Sequence, residues 1–287
     1  MPRRELSNTA RSRGVLEVLV IWAAVLGLLW AASAIPLWRE REQEVLGGQW
    51  SVQILAFMVL PLVLARAFGH MPASLGVGLG GLRRPLEVGL TALVVAGPAS
   101  GIAFPLLGML GWSPYSWQGG GLLAAVYAAC VPLTGLVIRR LKPATSIGTR
   151  PARFGIAVAV LVVALAVSAL TVDQAPIVSR VLLAFLVVGM GEELLFRGVV
   201  QSRLDQAFGR PWRILGADLG WGWILASLLF GITHLLSPVA PWQGGWALWT
   251  FVAGLLFGYI RAKGGSFVAS GLVHGVLLAV AAVFVPA

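Results

Sequence analysis

Long apolar runs separated by short polar segments dominate the pattern of this chain. A run of about 20 apolar residues can cross a bilayer as a helix, and shorter runs need flanking residues or a thinned membrane. The pattern predicts about nine membrane helices, over Val15–Leu37, Val52–Ala67, Leu86–Leu110, Leu122–Ile138, Phe154–Thr171, Ile177–Val200, Gly222–Leu236, Leu248–Ile260 and Phe267–Val285. The predicted fold class is therefore all-α, a polytopic transmembrane helical bundle.

The first run has two interpretations. Ala32-Ser33-Ala34 resembles a signal-peptidase site, and cleavage there would leave eight helices. The run is longer than the apolar part of a signal peptide, which is about 7–15 residues, so a retained helix is favoured. Residues 1–14 carry several arginines and are expected to form a disordered, basic cytoplasmic tail.

Composition agrees with a membrane protein. Apolar residues make up 58% of the chain and charged residues only 11%, whereas soluble domains have about 25% charged residues. The net charge of +10 would suggest nucleic acid as a partner of a soluble protein. Here the basic residues lie in short loops, where they set orientation and meet the lipid bilayer, so no nucleic-acid partner is expected.

The distribution of basic residues predicts the orientation. With the N-terminus in the cytoplasm, every arginine and lysine falls on the inner side except Arg39, Arg41 and Arg180. Basic residues concentrate in cytoplasmic loops, so this asymmetry supports both the helix count and the orientation. The C-terminus is then predicted to lie outside, and we expect the membrane to be the bacterial inner membrane.

The strongest candidate for chemistry is Gly191-Glu192-Glu193-Leu194-Leu195-Phe196-Arg197, at the end of an apolar run. Ionisable groups at bilayer depth are costly and usually functional. Glu193 and Arg197 are four residues apart, so they stack on one helix face, with the acid before the base. Glu192 points about 100° away. One carboxylate is therefore expected to be structural and the other free for catalysis, although an interfacial charge cluster is the alternative.

Two histidines lie in later apolar runs. A histidine there is commonly a packing residue, but counting along the predicted hairpins brings His234 and His274 to about the depth of Glu192. The count for the first hairpin uses a turn at Gly209–Arg213, and small-residue faces at Gly216/Gly220, Gly254/Gly258 and Gly271/Gly275 are expected to let helices approach closely. A charged continuation after the Glu-bearing run predicts a site nearer the inner face.

The order Glu-Glu-x-x-x-Arg, then Phe230-x-x-x-His234, then a third helix with His274 resembles the CPBP family of intramembrane proteases. This family includes CAAX prenyl endopeptidases and bacteriocin-processing, Abi-like proteins. The resemblance covers roughly residues 176–287, which are expected to form the catalytic core, with residues 15–175 as N-terminal membrane helices.

The resemblance implies a glutamic-type intramembrane endopeptidase. It assigns Glu192 as the base that activates water and His234 and His274 as its catalytic partners, with Glu193, Arg197 and Phe230 in support. The expected substrate is a membrane-anchored protein or peptide, cleaved near its C-terminus or its membrane anchor. Zinc held by Glu192, His234 and His274 is the alternative to a cofactor-free site, because two His and one Glu match an open zinc site.

One position departs from the family pattern. The last family motif has Asn or Asp four residues after the histidine, and this chain has Leu278 there. A catalytically altered family member that acts as an immunity or scaffold protein therefore stays open, as does a proton-coupled transporter. His70 follows a predicted helix and is expected to face solvent, without a role in the site.

Overall fold

The computed structural model describes residues 8–77, 81–141 and 152–284. Within these ranges each predicted run is largely helical, with a break at Ala34 and Ile35 inside the first run. Five helices are long and apolar enough to cross a membrane, and shorter apolar helices join them in one bundle. The elements are α1 (Asn8–Ser33), α2 (Pro36–Leu46), α3 (Trp50–Ala67), α4 (Arg83–Leu110), α5 (Trp117–Ile138), α6 (Ala152–Thr171), α7 (176–208), β1 (Trp212–Ile214), β2 (Ala217–Leu219), α8 (Trp221–Leu235), α9 (Gly244–Gly264) and α10 (Phe267–Phe284). The all-α, polytopic bundle is therefore confirmed.

Helix α7 carries the two glutamates and is irregular around them. The α-helical turn Met190–Glu193 lies between two π-helical segments, Leu183–Gly189 and Leu194–Val200. Wide π-helical turns inside α-helices occur frequently at functional sites. They change which side chains of α7 face the neighbouring helices, and apolar periodicity alone does not reveal them.

Two large apolar clusters hold the bundle together. The first joins α1, α3, α7, α8 and α10 through side chains such as Ile21, Phe57, Phe196 and Phe230. The second joins α4, α5, β2, α9 and α10. Helix α10 belongs to both clusters, so the predicted core helices and the predicted N-terminal helices share one interior.

The first helix begins at Asn8, before the predicted start at Val15. Residues 8–14 of the expected disordered tail are therefore helical, and residues 1–7 lie outside the described ranges. Helix α1 packs into the first cluster, and the indole Nε1 of Trp22 donates a hydrogen bond of 2.8 Å to the Thr233 hydroxyl. The same helix therefore contacts the element that carries His234.

The connection between α7 and α8 differs from the prediction. Instead of a tight turn at Gly209–Arg213, the chain forms the short antiparallel hairpin β1–β2, in which Trp212 pairs with Leu219. Gly216 adopts a φ of +80° in its turn, a conformation that glycine tolerates best. The predicted helix face at Gly216/Gly220 is therefore wrong, because Gly216 lies in the hairpin and Gly220 precedes α8.

The other glycine faces do bring helices close together. A Cβ added to Gly189 would lie 2.4 Å from the Cα of Gly275, so α7 and α10 touch backbone to backbone. A Cβ on Gly254 would lie 3.0 Å from Nη2 of Arg197. These contacts hold α9 and α10 against the charged turn of α7. Most of the predicted inner loop between Arg139 and Arg153 lies outside the described ranges.

Candidate active site

A fully buried ion pair lies next to His274. Nη1 of Arg197 is 2.9 Å from Oε1 of Glu193, and neither side chain is exposed. The guanidinium also lies over the Phe230 ring, 4.5 Å from its centroid. Aromatic faces attract a desolvated cation, so the ring helps to hold Arg197 in the bundle.

The Glu193 oxygen that pairs with Arg197 also contacts His274. Oε1 of Glu193 is 3.2 Å from Nδ1 of His274, and the imidazole stacks on the Phe257 ring at a centroid distance of 4.6 Å. A carboxylate can only accept a hydrogen bond, so Nδ1 of His274 carries the proton. The other ring nitrogen is then directed towards Glu192, whose Oε2 is 3.9 Å from Nε2.

His234 is fixed in a similar way. Its Nδ1 lies 2.9 Å from the backbone carbonyl of Phe230, one turn earlier on α8, so Nδ1 must donate. The Phe230 ring packs edge-on against both imidazoles, with centroid distances of 4.5 Å to His234 and 6.0 Å to His274. The Trp246 ring also packs against His234, with a centroid distance of 4.8 Å. Both histidines therefore have a fixed ring orientation and protonated Nδ1 atoms.

Glu192 and His234 line one cavity of about 370 Å³. Polar lining comes also from Gln49, Gln53, Thr233 and Ser237, and apolar lining includes Leu29, Val52, Phe57, Val188 and Trp246. Glu192 is buried, whereas Val239, another lining residue, is 79% exposed. The cavity thus leads from the surface of the protein to a buried carboxylate.

The exposed lining residues show which segments surround the opening of the cavity. They belong to α2 and to the loop after α8, such as Arg39 and Val239. Both segments fall on the outer side of the orientation predicted from charge, and Glu192 itself lies midway along α7. The orientation and the expected site nearer the inner face both stay predictions.

Some residues of this environment carry no signal in the sequence. Phe257 and Trp246 are ordinary apolar residues of α9, and only packing shows that they contact the two imidazoles. Gln53 is a polar residue near the start of an apolar run, and this is the only feature of the sequence that indicates a role for it. Leu278 is half-buried on α10 and is not one of the cavity-lining side chains within the described ranges.

His70 does not face solvent as expected. Its Nε2 lies 2.8 Å from Oε2 of Glu17, and the same carboxylate pairs with Arg13 and Arg203. This cluster ties α1 and the segment after α3 to the end of α7. His70 is therefore a partly buried structural residue, remote from Glu192 in its contacts.

No group of three or more His, Cys, Asp or Glu side chains in the described part of the chain is arranged to hold a metal ion. The donor atoms of His274 face the two glutamates, and Nδ1 of His234 faces a carbonyl. The choice between metal-free and zinc chemistry stays a prediction.

Comparison with known proteins agrees with the resemblance seen in the motifs. Residues 173–280 match the family model described as Type II CAAX prenyl endopeptidase Rce1-like. The match covers α7 to α10 and includes the two glutamates, both histidines and Arg197. The resemblance to the CPBP family is thereby confirmed over this segment, and the family is one of proteases. No curated protein and no solved structure matches the chain.

Proposed function

From the match of residues 173–280 to a CAAX prenyl endopeptidase family, we propose that this protein is an intramembrane endopeptidase of the glutamic type. The observation that carries the proposal is the pairing of a buried carboxylate with two oriented imidazoles at one cavity. Glu192 and His234 line that cavity, and His274 lies 3.9 Å from Glu192.

Glu192 acts as the general base. A separation of 3.9 Å between Oε2 of Glu192 and Nε2 of His274 is too long for a direct hydrogen bond, so one water can contact both atoms. Glu192 accepts a proton from this water as the water oxygen attacks the peptide carbonyl carbon. When the C–N bond breaks, Glu192 returns the proton to the leaving amine, and the products are a carboxylic acid, which keeps the second proton of the water, and an amine.

The remaining charged residues orient the site. The Arg197–Glu193 pair fixes the carboxylate that accepts from Nδ1 of His274, and this keeps the unprotonated Nε2 towards the water. The Phe230 carbonyl accepts from Nδ1 of His234, so Nε2 of His234 is also unprotonated. Glu193 and Arg197 are therefore positioning residues, and Phe230 supports both imidazoles.

The substrate is a membrane-anchored protein or peptide that enters from the open end of the cavity. Apolar lining residues such as Leu29, Val52 and Val188 suit a segment that leaves the bilayer in extended form. In the orientation predicted from charge, this opening faces away from the cytoplasm. The protein is thus proposed to cleave its substrate from that side.

The experiment compares wild-type protein with Glu192→Gln in nanodiscs, using a library of fluorogenic peptides that carry an apolar C-terminal segment. General-base catalysis contributes about 10²–10⁴ in rate, so Glu192→Gln should lose hydrolysis by that factor while remaining folded. Glu44→Gln is the matched control, since Glu44 is exposed on α2 and pairs only with Arg41 within the described ranges. Equal hydrolysis by wild type and Glu192→Gln would refute Glu192 as the base.

A further inference from the structure

Peptide hydrolysis needs hydrogen-bond donors for the negative oxygen of the tetrahedral intermediate. Removing one such donor typically slows catalysis by about 10²–10³. The resembled family has an amide or acid four residues after the second histidine, where this chain has the apolar Leu278. Another group in the cavity must therefore supply the donor.

The two imidazoles do not supply it in their neutral form. A neutral imidazole has one N–H, and in both histidines that proton lies on Nδ1. His234 donates it to the Phe230 carbonyl, and His274 donates it to Glu193. The Nε2 atoms on the cavity side are then acceptors.

The hydroxyl groups of Thr233 and Ser270, which lie near the two histidines in sequence, are also engaged. The Thr233 hydroxyl donates to the Leu229 carbonyl at 2.8 Å, and the Ser270 hydroxyl donates to the Phe267 carbonyl at 3.0 Å. Each hydroxyl has a single proton, so neither can donate to a substrate without giving up that bond.

Gln53 has the required chemistry and position. It lines the cavity together with Glu192 and His234, and its buried amide oxygen has no hydrogen-bond partner among the residues that the structure describes. Phe57, one turn further along α3, packs against Gly191, since a Cβ there would lie 3.2 Å from the Cβ of Phe57. Gln53 therefore faces the cavity about one turn from the level of the glutamates.

An unsatisfied amide in a membrane helix is unfavourable, because neither lipid nor apolar protein can hydrogen-bond to it. Polar groups inside membrane segments that face a cavity commonly mark a substrate path. The amide has two N–H donors and can donate to an oxyanion while its oxygen accepts from a peptide N–H of the substrate. The amide oxygen, which has no partner among the described residues, and the amide nitrogen are then both used.

We infer that the side-chain amide of Gln53 donates a hydrogen bond to the oxyanion, as a further catalytic residue that takes the role of the missing amide at Leu278. The inference rests on the proposed function. The carbonyl oxygen of the substrate gains the negative charge when water adds and Glu192 takes its proton. It loses that charge when the C–N bond breaks, and Gln53 itself neither gains nor loses a proton.

The test compares Gln53→Met, Gln53→Glu and Gln43→Met on a peptide that wild type hydrolyses in the library assay. Methionine keeps the length of glutamine without a donor, and glutamate keeps its shape but cannot donate when ionised. Gln43 is the matched control, because it has the same side chain but is exposed on α2 and is not one of the lining residues of the cavity. Thermal unfolding in nanodiscs identifies the folded variants.

We expect kcat of both Gln53 variants to fall about 10²–10³-fold with little change in KM, because the donor acts only in the transition state. A phosphonamidate analogue of the same peptide should also bind these variants more weakly, whereas the uncleaved peptide should not. Gln43→Met should behave as wild type.

Wild-type kcat in either folded Gln53 variant would overturn the inference, and so would an equal loss in Gln43→Met. The proposed function would survive both results. If wild type hydrolyses no peptide in the library, the proposed function itself fails.

Discussion

Replacing Arg197 with methionine should destabilise the protein, because it leaves Glu193 buried without its cation. The two charges are 2.9 Å apart and fully buried. With an effective dielectric constant of about 20, their attraction is about 6 kcal/mol before desolvation is counted. Measured losses on removing one partner of a buried pair are about 3–5 kcal/mol. The lost cation–π contact with Phe230 acts in the same direction.

We therefore expect Arg197→Met to lower the free energy of unfolding by about 3–5 kcal/mol, a large part of the 5–15 kcal/mol typical of folded domains. The measurement is denaturant-induced unfolding of the purified protein in mixed micelles, followed by tryptophan fluorescence. Methionine fills most of the volume of the arginine side chain, so the loss should report on charge rather than on a cavity.

The decisive control is the double variant Arg197→Met with Glu193→Gln. It contains no buried charge at this position, so it should be more stable than Arg197→Met alone. Glutamine can still accept the hydrogen bond from His274. Wild-type stability of Arg197→Met would refute the reasoning, as would a double variant whose loss equals the sum of the two single losses.

Three further predictions concern orientation, helix contact and the departure from the family. Val239→Cys should react with a membrane-impermeant maleimide from outside intact cells and Arg213→Cys only after permeabilisation; the reverse pattern would contradict the proposed orientation. Gly189→Ala should destabilise the protein and slow hydrolysis, because its Cβ would lie 2.4 Å from the backbone of α10. The control Gly101→Ala adds a Cβ in open space and should change neither the unfolding temperature nor the activity. Leu278→Asn should leave kcat unchanged, since Gln53 already donates, and activity should persist in chelator; activity lost in chelator and restored by zinc would refute the metal-free mechanism.

The sequence determined the fold class because membrane insertion leaves a simple signal. Every backbone group in the bilayer must be satisfied within its own segment, so an apolar run of sufficient length is a helix. The prediction of nine apolar helical runs follows from this constraint. The spacing of Glu193 and Arg197 also predicted their contact, because neighbours four residues apart stack on any α-helix, and the structure has that pair at 2.9 Å.

Other features were decided only by tertiary packing. The hairpin β1–β2 and the π-helical turns around Met190–Glu193 have no periodic signal, since they depend on what packs against them. The partner of His70 comes from α1, more than 50 residues earlier, so local sequence could not show it. Gln53 became part of the site because Phe57 packs on Gly191 and brings α3 beside Glu192. Which polar residue shares a cavity with the buried carboxylate of Glu192 depends on contacts between distant helices. Such contacts are set by the shapes of all the side chains between them.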